Sequence, residues 1–252
     1  MKKNSNLFFE RNYSSFINSF KKIGFNTAYM AFYDALFYSI SSLFAYLGFK
    51  YIEKKASAFN LPENIMDLSL QEAESLAANL KGFFFLIIFL VIFLILLMIL
   101  NWSLFKGLSW SLAVKRKFDF KFFKRFLLLN LAWLPIWILL LFFVIIGINP
   151  DSILYFIMVV LAIAAYLTNI LYALFLKENN FKTIKKAFKI AFAKMHFFVI
   201  PYIIAVFLPY ILLKLLIQNL QQTAFLIISA LAFIIINAWF RLYIVEVVDS
   251  VA

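Results

Sequence analysis

Two charged side chains stand inside long apolar stretches of the sequence, which makes them the first candidates for chemistry. Asp34 lies in such a stretch near the N-terminus, and Arg241 lies in another near the C-terminus. If these stretches cross a membrane, each charge costs several kcal/mol unless it is paired or hydrated. We therefore predict that Asp34 and Arg241 form an intramembrane ion pair. The alternative is that each side chain reaches separately to the interface, which is easier for arginine than for aspartate.

Three asparagines recur at equal intervals inside apolar stretches, at Asn101, Asn169 and Asn237. An amide in this setting typically hydrogen-bonds to a neighbouring helix, which contributes about 0.6 kcal/mol. The repetition also admits a functional hypothesis, in which the three amides and Asp34 surround a central polar path. A packed centre favours the first interpretation, and a polar cavity favours the second.

The residue types that most catalytic and metal sites need are scarce. The chain has no cysteine, a single histidine at His196, and five glycines that are scattered singly. This composition excludes thiolate and multi-histidine metal sites, cysteine nucleophiles and glycine-rich phosphate loops. Intramembrane proteolysis would need paired aspartates, a serine–histidine pair or a zinc motif, and the sequence shows no such arrangement. We predict a non-enzymatic protein with no catalytic residue, no metal and no cofactor.

Composition then indicates the class of protein. Of the 252 residues, 65% are hydrophobic and only 14% are charged, yet the formal net charge is +12. A soluble globule could not bury so much apolar surface, and a disordered chain would be far less hydrophobic. We predict an all-α polytopic transmembrane bundle that forms one integral membrane domain over residues 1–252. Six stretches are long enough to cross about 30 Å of hydrocarbon: Thr27–Phe49, Phe83–Phe105, Phe126–Gly147, Ile153–Leu176, Phe197–Leu216 and Ala224–Val245.

The basic residues are distributed unevenly between the connections. Most Lys and Arg precede span one, join spans two and three, or join spans four and five. Because cytoplasmic loops are enriched in these residues, we predict a multi-pass protein of the cell membrane with both termini cytoplasmic. Ala56, Ser57 and Ala58 fit a signal-peptide cleavage site, but the preceding Lys54 and Lys55 favour a retained first helix.

The six spans are predicted to form three hairpin repeats, at about residues 1–105, 106–176 and 177–252, each preceded by a basic amphipathic interfacial helix. The apolar faces of these helices have a spacing typical of helices that lie at the interface. Those faces carry Tyr13, Phe16, Ile17 and Phe20, then Phe120, Phe123 and Leu127, then Phe181, Ile184, Phe188 and Phe192. The basic residues of the second and third segments are predicted to contact anionic lipid head groups: Lys117, Lys121, Lys124, Arg125, Lys182, Lys185, Lys186 and Lys189.

Local signals add two predictions about individual helices. Ser69 and Glu72 form an S-x-x-E capping box, which predicts a helix that begins near Ser69 and runs into span two. Pro135 and Pro209 lie in mid-span and are predicted to kink spans three and five, because each removes a backbone hydrogen bond.

Three units of this kind, ending in the motif NAWFRLYIVEVV from Asn237, resemble six-span prokaryotic membrane families. One of these is the membrane domain that accompanies some glycerophosphodiester phosphodiesterases. The resemblance is architectural and covers the whole chain. It implies no catalytic residue here, because catalysis in that family belongs to a separate soluble domain.

Two classes of function follow as expectations. The first is a lipid-interacting scaffold or an accessory subunit of a membrane complex. Its expected partners are membrane lipids, anionic ones above all, and a membrane or cytoplasmic protein subunit, with no nucleic acid. The alternative is a transporter or permease component with a path between the three helical hairpins.

Overall fold

The computed structural model describes residues 2–57, 69–217 and 222–252. Within these ranges the chain is helical and contains no strand, which confirms the predicted all-α class. The described helices are α1 (Lys2–Lys21), α2 (Phe25–Ala56), α3 (Leu70–Ala113), α4 (Phe120–Gly147), α5 (Pro150–Glu178), α6 (Thr183–Ala193), α7 (Met195–Ile217) and α8 (Gln222–Val251).

Six of these helices, α2, α3, α4, α5, α7 and α8, are long and apolar enough to cross a membrane. Each contains one of the six predicted spans. In each of these helices, at most 22% of the most apolar 18-residue segment is buried inside the protein. Surfaces this apolar are stable only against lipid or another apolar partner. The chain is therefore a six-span integral membrane protein, as predicted.

Side-chain caps set several of the helix boundaries. The Ser69 backbone N–H donates to Glu72 Oε2 at 2.9 Å, and the Glu72 N–H donates to Ser69 Oγ at 3.4 Å. This reciprocal capping box confirms the predicted start of α3, which then continues without interruption through Ala113. Asp119 caps α4 by accepting from the Phe122 N–H at 2.7 Å. The helices α4 and α7 run through Pro135 and Pro209, so the predicted kinks stay predictions.

The chain forms two compact units, of which the larger consists of Met1–Leu36 and Ser103–Ala252. Within it, α8 packs against α1, α5 and α7, and α5 packs against α4 and α6. Its longest buried runs are residues 170–176 in α5 and 238–245 in α8. Both runs lie toward the helix ends that are predicted to be cytoplasmic, so the core of this unit sits at that end.

The smaller unit, Phe37–Trp102, contains the remaining parts of α2 and α3. The two helices meet where Phe37 and Trp102 pack edge to face, with ring centroids 5.2 Å apart. They also approach closely at Gly48, where an added Cβ would lie 2.6 Å from a Leu94 methyl carbon. These unit boundaries do not coincide with those of the predicted repeats, and the threefold repetition stays a prediction.

The structure corrects one feature of the predicted repeats. A separate amphipathic helix precedes α2 and α7, namely α1 and α6, but the basic segment before span three forms the first two turns of α4. The buried face of this segment carries Phe122, Phe126 and Leu129, whereas Phe120, on the predicted interfacial face, is exposed. The segment follows the axis of α4 because Asp119 starts the helix before the predicted membrane boundary.

Candidate functional site

The structure brings Asp34 and Arg241 together at the core of the larger unit. Asp34 lies in α2, and its Oδ2 accepts a hydrogen bond from Nη2 of Arg241 in α8. A second cation completes the site, because Lys106 Nζ of α3 donates to Asp34 Oδ1 at 2.8 Å. The aspartate side chain is 1% exposed and each cation is 7% exposed. One carboxylate therefore joins three helices that are far apart in the sequence.

The surroundings of this charge cluster (Asp34, Lys106 and Arg241) fix its orientation. Arg241 Nη1 donates to the hydroxyl of Ser109, which in turn donates to the Met30 carbonyl at 3.4 Å. The guanidinium also lies over the indole of Trp110, 5.9 Å from the ring centroid. Arg241 thus bonds to α2 and α3 at once, and its planar fork suits such divergent contacts better than a lysine ammonium would.

The charge cluster holds one anion and two cations, so it carries one excess positive charge. These three are the buried charged residues of the described part of the chain. Removing one partner from a buried ionic group is strongly destabilising because it leaves an uncompensated charge. Ionisable groups inside membrane spans also mark substrate or ion pathways by default. The arrangement can therefore clamp helices, and it can attract an additional anion.

Sequence reasoning missed Lys106 because it placed that residue in the loop after span two. The helix instead continues eight residues beyond Phe105, through Ala113. A signal was present, since Leu108, Trp110 and Leu112 continue the apolar pattern past the lysine. The side chains of Lys106, Ser109 and Ala113 share one face of this extension, and all three are buried.

A second polar network lies between α3, α4 and α5. Asn130 is fully buried; its Nδ2 donates to Ser103 Oγ at 2.9 Å, and its Oδ1 accepts from the Tyr172 hydroxyl. One helical turn further, Trp133 Nε1 donates to Thr168 Oγ1 at 2.9 Å. Sequence analysis did not single out Asn130, although it is an amide within the same kind of apolar stretch as the three repeated asparagines. This amide network (Ser103, Asn130 and Tyr172) satisfies buried polar atoms that would otherwise destabilise the core.

The three repeated asparagines have unrelated partners. Asn101 donates to the Phe37 carbonyl at 3.2 Å and to Ser41 Oγ at 2.8 Å, both in α2. Asn169 donates to the Tyr202 hydroxyl of α7 at 3.0 Å. Asn237 donates at 2.8 Å to the carbonyl of Phe233 in its own helix. Two of the three amides therefore bond to a neighbouring helix and the third bonds within its own helix, and the central polar path stays a hypothesis.

The short helix α6 presents three different faces. Thr183, Ala187 and Ala191 are buried against the protein. The predicted aromatic stripe points outward at both ends, where Phe181 is 44% exposed and Phe192 is 72% exposed. The lysines of the third face are exposed, and in the described part of the chain they form no ion pair: Lys182, Lys185 and Lys189. Small residues thus hold α6 on the protein, while Phe192, Lys185 and Lys189 remain exposed. Phe188 packs against Trp133, with ring centroids 5.8 Å apart.

Two of the basic residues predicted to contact lipid have partners in the protein. Lys186 Nζ pairs with Glu178 Oε1 at 2.6 Å. Arg125 Nη1 donates to the Asn179 carbonyl at 3.3 Å, beside Arg116, which donates to the Leu176 carbonyl at 2.5 Å. Both arginines stabilise the C-terminal end of α5, where cations are favourable. In the second segment, Lys117 and Lys121 are exposed, and Lys124 lies over the Phe120 ring, 4.7 Å from its centroid.

The first amphipathic helix packs through an unexpected face. From residue 8 onward, the buried side chains of α1 are Asn12, Ser15 and Ser19, and Ser19 Oγ accepts from Trp239 Nε1 at 3.1 Å. Of the predicted apolar face, Phe16 packs against Tyr243 of α8, whereas Tyr13 is 69% exposed. The helix therefore contacts α8 through both polar and aromatic side chains and leaves Tyr13 uncovered.

Fold and site together define a polytopic α-helical membrane protein with a buried ionic clamp and basic, aromatic helices at one end of its core. Comparison with protein families, curated proteins and solved structures finds no match to this chain. The architectural resemblance to the membrane domain of some glycerophosphodiester phosphodiesterases therefore stays a prediction.

Proposed function

We propose that this protein is a non-enzymatic, lipid-interacting scaffold or accessory subunit of the cell membrane, with cytoplasmic termini. The observation that carries the proposal is the three-faced geometry of α6. Its small residues are held by the protein, while Phe192 and the lysines Lys185 and Lys189 are exposed side by side. A helix that exposes both aromatic and basic side chains is suited to the boundary between acyl chains and anionic head groups.

The energetics favour binding to anionic lipids over zwitterionic ones. Each Lys or Arg near an anionic membrane surface contributes about 1 kcal/mol. The exposed lysines of α6 and those around the start of α4, Lys117 and Lys121, act together, because Arg125 of α4 and Lys186 of α6 both contact the C-terminal end of α5. The exposed phenylalanines insert into the apolar layer of the membrane, and the free energy of this burial does not depend on the lipid's charge. We expect a collar of tightly held anionic lipid at this end of the larger unit.

Lipid retention measured by native mass spectrometry tests the proposal. The protein is released from nanodiscs that contain equal amounts of phosphatidylglycerol and phosphatidylcholine. The triple variant Lys182→Gln, Lys185→Gln, Lys189→Gln should lower the preference for phosphatidylglycerol by roughly tenfold or more, since each lysine supplies about 1 kcal/mol.

A matched control removes the same charge from the other end of the membrane helices. The variant Lys50→Gln, Lys54→Gln, Lys55→Gln alters three exposed lysines at the end of α2, where Glu53 offsets one of their charges. It should lower the preference by less than the α6 variant does. Equal lipid preference in the unmodified protein and the α6 variant would contradict the proposal. Robust uptake of a solute by the protein alone in proteoliposomes would overturn the scaffold assignment.

The transporter hypothesis has one observation in its favour, which is the excess positive charge of the buried cluster around Asp34. A site of this kind would attract a small anion. Proteoliposomes that carry the unmodified protein would then show anion flux that the Lys106→Met variant reduces. Absence of flux for chloride, phosphate and small carboxylates would leave the cluster with a purely structural role.

A further inference from the structure

An open apolar groove of about 470 Å³ lies between α5 and α7. Ala162, Ile163 and Tyr166 form its α5 wall, and residues of α7 from Met195 to Phe207 form the other. Ala162 is the smallest of the residues that line it.

The groove offers no polar group to an occupant. Its two hydroxyls belong to Tyr166 and Tyr202, and both are used inside the protein. Tyr166 donates to the Ala191 carbonyl at 2.7 Å, and Tyr202 donates to the Ala165 carbonyl at 3.4 Å while it accepts from Asn169. An occupant must therefore be apolar along the whole length that enters the groove.

The length of the groove fits a lipid chain within one leaflet of the bilayer better than a partner helix that crosses the whole membrane. At 1.5 Å per residue, the wall from Met195 to Phe207 extends about 18 Å. Half of a hydrocarbon core is about 15 Å, whereas a partner helix would need about 30 Å. The groove thus has the reach of a single acyl chain.

The mouth of the groove adjoins the C-terminal end of α6, which Lys194 follows. The bond from Tyr166 to Ala191 holds that end of α6 against α5, and Lys194 directly precedes the lining residue Met195. Lys189 and Lys194 are exposed, and in the described ranges neither is part of an ion pair. Positive charge at the mouth of an apolar groove complements an amphiphile with an anionic head.

We propose that this groove is a binding site for one anionic phospholipid, whose acyl chain lies between α5 and α7 and whose phosphate is held at the end of α6. The inference rests on the proposed lipid-binding function and assigns that function a specific site. The binding free energy of the proposed lipid has two independent sources. Apolar burial of the chain stabilises any phospholipid, and the lysines select an anionic head group.

Photo-crosslinking with phosphatidylglycerol that carries a diazirine on its acyl chain tests the site. In nanodiscs, the unmodified protein should concentrate crosslinked peptides on residues 195–207 of α7 and 162–166 of α5. The variant Ala162→Trp fills the groove and should lower that yield at least tenfold. Its control is Ala230→Trp, which places the same bulk at an exposed alanine of α8 outside the groove and should leave the yield unchanged.

A charge substitution tests the head-group half of the proposal. Lys194→Gln should lower the yield with phosphatidylglycerol while it leaves the yield with the matching phosphatidylcholine probe unchanged. Lys214→Gln removes a lysine from the opposite end of α7 and should change neither yield. Val199→Trp narrows the groove from the α7 side and replaces Ala162→Trp if the latter does not fold.

The outcomes separate this inference from the wider proposal. If the α6 lysine variant loses its lipid preference but Ala162→Trp leaves the crosslinks unchanged, the lipid collar stands and the groove site is wrong. If neither variant has an effect, both are wrong. Crosslinked peptides spread evenly over the exposed helices, or a second copy of the chain occupying the groove, would also overturn the inference.

Discussion

The indole of Trp110 packs edge to face against the ring of Tyr172, with centroids 6.0 Å apart and planes at 87°. Trp110 also faces the guanidinium of Arg241, whereas the Tyr172 hydroxyl bonds to Asn130. The charge cluster and the amide network are therefore in contact through two fully packed aromatic rings. This contact links α3, α5 and α8 at the end of the larger unit where its core lies.

The first prediction concerns the carboxylate of the charge cluster. Asp34→Asn leaves Lys106 and Arg241 buried with no anion between them, and loss of one buried charge partner costs about 3–5 kcal/mol. We expect a large fall in the thermal unfolding temperature in detergent. Lys106→Met should be tolerated better, because the remaining pair of Asp34 and Arg241 is neutral. Equal destabilisation by the two variants would show that charge balance is not what the cluster provides.

The second prediction separates bonded from unbonded buried tyrosines. Tyr172→Phe removes the hydroxyl that donates to Asn130 Oδ1, and an unsatisfied buried acceptor costs about 1–3 kcal/mol. Tyr243→Phe is the control, because that buried hydroxyl has no hydrogen-bond partner among the described residues. The control should be neutral or slightly stabilising. Urea or thermal unfolding of both variants measures the difference, and a more harmful Tyr243→Phe would contradict the network as described.

The third prediction concerns a close approach between α3 and α4. A Cβ at Gly107 would lie 2.9 Å from a ring carbon of Phe118 and 3.1 Å from one of Phe126. Phe126 is fully buried and has no room to move, so Gly107→Ala should destabilise the protein by about 1–3 kcal/mol through overpacking.

A second glycine of the same helix provides the control for this change. Gly82 is exposed, and no atom lies within 4 Å of an added Cβ. Gly82→Ala should stabilise α3 by up to about 1 kcal/mol, since alanine favours the helix. The two variants differ only in position, so unfolding curves that shift in the same direction would refute the packing argument.

The fourth prediction tests the orientation in the membrane. The chain has no cysteine, so a single introduced cysteine reports its own accessibility. Ser57→Cys should react with a membrane-impermeant maleimide on intact cells, because the end of α2 is predicted to lie outside. Lys117→Cys should react only after permeabilisation. The reverse pattern would place the termini outside the cell and would remove the basis for a cytoplasmic lipid collar.

Local structure was predictable from the sequence to a large extent. Apolar length alone indicates six spans, because each must satisfy its backbone hydrogen bonds inside the membrane. The capping box predicts the start of α3, because Ser69 and Glu72 are close in sequence and meet in the first turn of one helix. An unpaired charge inside the membrane costs free energy, which predicts that Asp34 and Arg241 need partners. In the structure the two side chains pair with each other.

The tertiary structure decided which side chains meet. Lys106 joins Asp34 only because α3 extends past the predicted boundary and turns that lysine toward α2. Helix rotation likewise decides that Phe122 is buried and Phe120 is exposed, and that Asn101, Asn169 and Asn237 have unrelated partners. The sequence determines the period of each helix, its length and the need to pair a buried charge, because these depend on neighbouring residues and on the solvent. Register and rotation between helices depend on packing across many residues at once, and only the folded chain specifies them.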